Sequence, residues 1–264
     1  QMLKTMLALA KMQFKDYNVY KSNFYLFTLN RLVEVIVYIF IWQAIYNQTG
    51  SAGGFSLSQI VTYYILAISF SSIATWGINE MMAHSIRNGQ INKELLNPIS
   101  YFKYYFGINL GEISFATVIG IATFIICSVF WKLALPANFM DFILCVLVIL
   151  LGIPITFFIQ IIVGTIGFYT NSIWGMQILR RSIIQIFSGI IAPISLFPLW
   201  FQELSKLLPF KELIYTPINI WLGHVSYNEI ILVIIKQTLW GFILYIIAKL
   251  FFNHAVKKLT INGG

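Results

Sequence analysis

The chain has 264 residues, of which 59% are apolar and only 10% charged, and its mean hydropathy is +0.81. A soluble domain carries roughly a quarter charged residues, so the charges here are too few to cover a water-facing surface; an ordinary soluble enzyme, a disordered chain and a nucleic-acid binder are excluded. The net charge of +8, from 17 Lys and Arg against 9 Asp and Glu, reads instead as loops facing cytoplasm and anionic headgroups. A spanning helix needs about 20 mostly apolar residues, and six would use about half the chain. The remainder is too short for a second folded domain, so residues 1–264 read as one all-α integral membrane domain.

Residues 2–20 read as an interfacial amphipathic helix. Leu3, Met6, Leu7, Ala10, Phe14 and Tyr17 recur at helical spacing, while Lys4, Lys11 and Lys15 share another face. The segment lacks the short apolar run and small-residue site of a cleavable leader. The first span is expected over about 24–46. Arg31 and Glu34 interrupt it three residues apart, where one helix face holds both as a pair. An intramembrane charge is a functional candidate by default, and the plainer alternative is an arginine snorkelling to the headgroups with Glu34 neutralising it. A short loop without Lys or Arg leads to the second span, about 58–79.

The third span is expected over about 104–131. Gly107 and Gly111 are spaced for close helix approach, and Glu112 beside them is a candidate for contact with substrate or with a neighbouring helix. The fourth span, about 140–169, holds Pro154, which removes a backbone hydrogen bond and predicts a kink. The fifth is expected over about 182–199. Residues 200–228 stay apolar but are broken by Pro209 and Pro217 and interrupted by charges. Short re-entrant helices fit that pattern, provided protein buries their free backbone groups. The sixth span runs over about 229–252.

Lys and Arg flank the spans unequally. One side collects Lys4, Lys11, Lys15, Lys21, Arg87, Lys93, Lys103, Arg180, Arg181, Lys257 and Lys258; the other has Lys132, Lys206 and Lys211. The richer side is expected to be cytoplasmic, with both termini there, as an even number of spans requires.

Catalytic patterns are missing. The sequence has no phosphate-binding GxxxxGK[ST], no HExxH and no GxSxG. His84, His224 and His254 fall at span ends, far apart, and Cys127 and Cys145 lie singly in apolar runs, so neither set supports a metal site. The most informative stretch is IRNGQINKELLNPIS at 86–100. Gly89 and Pro98 bracket about two helical turns between two spans, with Leu95 and Leu96 as an apolar edge and Lys93 and Glu94 as a polar one. A short helix tied at both ends to spans is a lever, and its apolar edge argues for a protein partner over a plain solvated loop.

Taken together and in order, these pieces resemble the membrane subunit of a type-2 ATP-binding-cassette permease of the bacterial six-span kind. WQAIY at 42–46, GFSLSQIVTYYIL at 54–66, the basic–Gly–paired-Leu–Pro stretch at 86–98, ISLFPLWFQ at 194–202, LPF at 208–210, TPINIWLG at 216–223 and the tail ending INGG carry the resemblance. It implies a permease that pairs with an identical or paralogous permease in the bacterial cytoplasmic membrane, and a cytoplasmic ATPase subunit present in two copies. ATP and Mg would sit on that subunit, with no cofactor or catalytic residue on this chain and no nucleic acid partner. It makes 86–98 the coupling helix, with Arg87, Lys93 and Glu94 as polar contacts, Leu95 and Leu96 as the buried edge, and Gly89 and Pro98 as its brackets. It makes 200–223 an external re-entrant gate shaped by Phe197, Pro198, Pro209, Phe210 and Pro217, and the N-terminal helix a connecting helix touching the ATPase. The implied activity is ATP-driven export by alternating access, which requires ATP to bind one state better than the other. An aromatic and aliphatic pathway would suit an amphipathic molecule, peptide, antibiotic or lipid-like substrate.

Three other readings compete. An ion-coupled secondary transporter would need intramembrane ionisable relays or inverted repeats, for which Glu34 and Glu112 are weak material. A membrane-embedded lipid-modifying enzyme would need polar residues clustered at one depth. A structural subunit would need neither lever nor gate.

Overall fold

The computed structural model describes residues 2–19, 21–49 and 54–258. The INGG tail, residue 20 at the end of the expected N-terminal helix, and residues 50–53 of the first loop lie outside the described residues. Among the described residues the chain is all-helical, without a β-strand. In order come α1 (Met2–Val19), α2 (Lys21–Thr49), α3 (Leu57–Thr75), α4 (Asn79–Arg87), α5 (Ile91–Leu95), α6 (Tyr101–Phe130), α7 (Phe139–Thr165), α8 (Trp174–Phe187), α9 (Leu199–Leu207), α10 (Tyr215–Trp221) and α11 (Tyr227–Val256).

Five segments among the described residues are long and apolar enough to cross a membrane: α2, α3 with α4, α6, α7 and α11. The 30 residues of α6 and of α11 extend about 45 Å, against a hydrocarbon core of about 30 Å. Local chemistry sets two of the starts. Ser56 accepts from the Gln59 amide while the Gln59 side chain accepts from the Ser56 amide, and Ser226 with Glu229 repeats the pattern ahead of α11. Pro154 lies inside α7.

The expected continuous span over 182–199 is not what forms. α8 starts earlier, at Trp174, and stops at Phe187 after 14 residues, about 21 Å. Gly189 then turns the chain at φ +87°, a conformation that disfavours any residue with a Cβ. The broken backbone is satisfied from the neighbouring helix: Tyr63 and Tyr64 of α3 donate to the carbonyls of Gly189 and Ile191 at 2.7 and 2.9 Å. The second expected span is also interrupted, between Thr75 and Asn79. There Gln160 of α7 donates to the Trp76 carbonyl and accepts from the Ile78 amide, each at 3.0 Å. Asn109 of α6 joins the same Gln160 oxygen at 3.2 Å.

α3 is the axis of the bundle. Its residues from Ile60 to Ser69 are all buried, packed between α2, α6, α7 and α10. The N-terminal helix does not stand apart from this core. It lies along the first half of α6, with Gln13 buried and Met6, Leu9, Ala10, Phe14 and Tyr17 half-buried, while Leu3 and Leu7 of the expected apolar face stay exposed. The expected close approach at the paired glycines is made by α1 itself: a Cβ on Gly111 would come within 2.5 Å of the Ala10 carbonyl oxygen and 2.6 Å of the Gln13 Cβ. Gly111→Val is therefore expected to lever α1 off α6, read as faster proteolytic cleavage within α1 than in the unsubstituted chain. Equal cleavage rates would contradict the packing.

Candidate functional site

At one end of the bundle α3 continues through α4 to α5 and back into α6. Gly89, at φ +71°, turns the chain between α4 and α5. The five residues of α5 are anchored by Ile91, which is fully buried. Glu94 faces inward, accepting from Ser85 at 2.7 Å and from Tyr105 at 2.9 Å. It thereby ties α5 to both α4 and α6, rather than standing free as a polar contact. Leu96 is 85% exposed and Leu95 36%, on a protein that otherwise buries such residues or turns them to lipid. Arg87, Lys93 and Pro98 are exposed around them. Pro98 also lines a groove against Thr5 and Leu9 of α1, so α1 and the α5 segment border one surface.

At the other end, residues 194–221 form only short helices, none long enough to cross a membrane. Phe197 stacks on Phe201 with centroids 4.4 Å apart, Phe201 on Phe187 at 4.8 Å, and Phe210 stands 6.2 Å from Phe187. Pro198 precedes the first turn of α9, Pro209 is buried between α9 and the next turn, and Pro217 is buried within α10. The structure thus gathers Phe197 and Phe210 around one aromatic cluster and puts Pro217 elsewhere, on α10, the helix that packs on α7. Exposed backbone groups are again answered by side chains: Gln202 donates to the carbonyls of Ser195 and Phe197, Trp240 to that of Leu207, and Trp221 to that of Ala134.

At the same end the charges that interrupt 200–228 meet a lysine of α11. Lys236, ten residues into α11, pairs with Glu212 at 3.0 Å, and also donates to the Lys206 carbonyl. Glu212 is 1% exposed, with Lys211 3.9 Å away. Burial pushes the Glu212 carboxyl up, against the downward pull of Lys236 and Lys211. Next to it Gln237 donates to the carbonyls of Val148 and Glu212, both at 3.1 Å. A Lys-Gln pair inside an apolar stretch was the signal available in sequence.

Between the two ends the charged groups fall into two sets. Arg31 pairs with Glu34 at 2.7 Å, as their spacing predicts, and its second nitrogen donates to Ser72 of α3 at 3.0 Å. Glu112 is buried and accepts from Tyr17 of α1 at 2.7 Å, which is the neighbouring-helix role. Arg180 is 4% exposed and donates to the Thr75 carbonyl at 2.7 Å. Consecutive helix positions point about 100° apart, so Arg181 emerges on another side. There, with Arg31, Glu34 and Gln185, it lines a cleft of about 290 Å³ between α2, α3 and α8.

This is a helical bundle with α5 braced between α4 and α6 at one end and a folded-back aromatic segment at the other. The comparisons with known proteins agree with it. The family described as ABC-2 family transporter protein matches residues 32–263. A comparison with curated proteins gives no match. Since the match takes in all five candidate spans beyond the first turns of α2, together with α5 and the short helices after α8, the chain belongs to the ABC-2 transporter family as a multi-pass permease subunit, the kind that works with a separate ATP-binding subunit.

Proposed function

We propose that this chain is the permease half of an ATP-driven exporter. The observation that carries the reading is the α4–α5–α6 end, where α5 is held by Ile91 and Glu94 while Leu95 and Leu96 are left facing outward. Such a helix transmits a push to two bundle helices at once. α5 is then the coupling helix, docking its leucines into an ATPase subunit with Arg87 and Lys93 as polar contacts at the rim. Glu94 serves as the internal brace, and Gly89 and Pro98 set where the lever begins and ends. α1, bordering the same surface, is the second contact.

On this reading α8 with the folded-back segment after it takes the place of the sixth crossing. The cluster of Phe197 and Phe210, with Pro198, Pro209 and Pro217 shaping the backbone around it, forms the outer gate. Both termini are cytoplasmic, following the Lys and Arg excess on the α5 side. Two permeases, identical or paralogous, assemble with two ATPase copies, which hold ATP and Mg. The cargo is an amphipathic or lipid-like molecule, consistent with a bundle surface rich in exposed apolar side chains.

Affinity purification in mild detergent, with mass spectrometry of whatever copurifies, tests this. An ATPase subunit in stoichiometric amount is the expected result. A lone chain, stable in several detergents and without an ATPase, would overturn it.

A further inference from the structure

The cleft between α2, α3 and α8 is polar where its surroundings are apolar. Asn30, Arg31 and Glu34 come from α2, Arg181 and Gln185 from α8, and Trp76 closes the end of α3. Its volume of about 290 Å³ is at the small end of the roughly 300–1,000 Å³ of small-molecule sites, suited to a headgroup rather than a whole lipid.

The charges in it are not equivalent. Arg31 already has Glu34 and Ser72. Arg181 makes no ion pair or hydrogen bond among the described residues. Two arginines against one glutamate leave a single positive charge, presented by the unpaired guanidinium. Behind the wall, Arg180 is bonded to the carbonyl of Thr75, itself a lining residue. On either side the helices carry exposed apolar residues, Leu26, Val33 and Val37 on α2 and Leu179 and Ile186 on α8. Arg181 is exposed, and a guanidinium without a protein partner at the wall of a polar cleft is best satisfied by an oxyanion, which it holds through two parallel hydrogen bonds.

We infer that this cleft binds the anionic headgroup, a phosphate or carboxylate, of an amphiphile whose tail lies along the apolar flanks of α2 and α8, with Arg181 as the charge partner. Arg31 and Glu34, fixed by each other and by Ser72, form the rigid wall against which the headgroup rests. The cleft opens on the half of the bundle that carries α5, since Thr75 and Trp76 lead directly into α4. Resting on the permease reading, this makes the cargo an acidic amphiphile loaded from the leaflet on the α5 side.

The test uses the full chain in phosphatidylcholine nanodiscs. The probe is 2-bromododecyl phosphate, whose bromine sits beside the headgroup and quenches tryptophan only on near contact. We expect saturable quenching that disappears in Trp76→Phe and weakens about tenfold in Arg181→Gln, the loss of one charge-assisted contact, but not in Lys257→Gln. Arg181 has no protein partner, so its substitution leaves the melting curve in place. Equal quenching by the matching trimethylammonium amphiphile, or undiminished affinity in Arg181→Gln, would overturn the site. Competition by inorganic phosphate at the same concentration as the amphiphile would overturn the lipid-like ligand in favour of a free anion. Because binding is read without an ATPase, a missing ATPase sinks the transporter reading alone, and absent binding sinks this site alone.

Discussion

The double substitution Leu95→Asp with Leu96→Asp is expected to abolish ATPase association while leaving the chain folded. Leu96 is 85% exposed and Leu95 36%, so the fold draws little on Leu96 and more on Leu95; Leu96→Asp alone, a surface substitution that shifts stability by about 0.5 kcal/mol or less, is the control that keeps the fold intact. Burying two leucines in a partner's groove is worth about 3 kcal/mol or more, which corresponds to an affinity loss on the order of 100-fold. The aspartates add desolvation cost to that figure. Copurification of the ATPase and transport-coupled ATP hydrolysis should both fall, and should fall in Leu96→Asp alone with an unchanged melting temperature. Normal copurification and normal export in the double variant would remove α5 from the coupling interface.

Lys236→Met should be the most damaging single change to stability. It leaves the Glu212 carboxylate, 1% exposed, with only Lys211 at 3.9 Å. Breaking one partner of a buried pair costs about 3–5 kcal/mol. Lys236 keeps 23% of its side chain exposed, which puts the expected loss near the lower end, about 3 kcal/mol, or roughly 10 °C in a thermal melt. Adding Glu212→Leu should restore most of it, because an apolar pair of similar volume carries no buried charge. An unchanged melt for Lys236→Met would show that the pair is solvated and not structural.

What the sequence disclosed depended on how local the cause was. Arg31 and Glu34 lie one helical turn apart, so their pairing could be read directly. Gly107 and Gly111 announced a close helix contact, though not that α1 would make it, since the spacing names one face and leaves its occupant open. The interruption after Phe187 was not readable. Composition registers how apolar 182–199 is, but whether that stretch stays helical depends on Tyr63 and Tyr64, more than 100 residues earlier, supplying donors to the freed carbonyls. The Gln160 link between α3, α4 and α6 was hidden for the same reason. Lys236 was visible in sequence, but its meaning required Glu212 to be folded back against it. The α5 stretch was legible as a lever from Gly89, the paired leucines and Pro98; Glu94 was assigned to its outer edge because nothing local showed that Ser85 and Tyr105 would draw it inward.

The family match begins at residue 32, but the physical unit begins earlier. A shortened chain starting there would lose α1 and the start of α2 with Arg31, and with α1 the cover over Gly107 and Gly111, leaving a bare backbone strip facing lipid. It would also strand the Glu112 carboxylate, whose Tyr17 donor would be gone. Charge burial and exposed helix backbone together predict that such a trimmed protein aggregates on extraction. Expression boundaries for this permease therefore belong ahead of α1, and sequence similarity alone would place them inside α2.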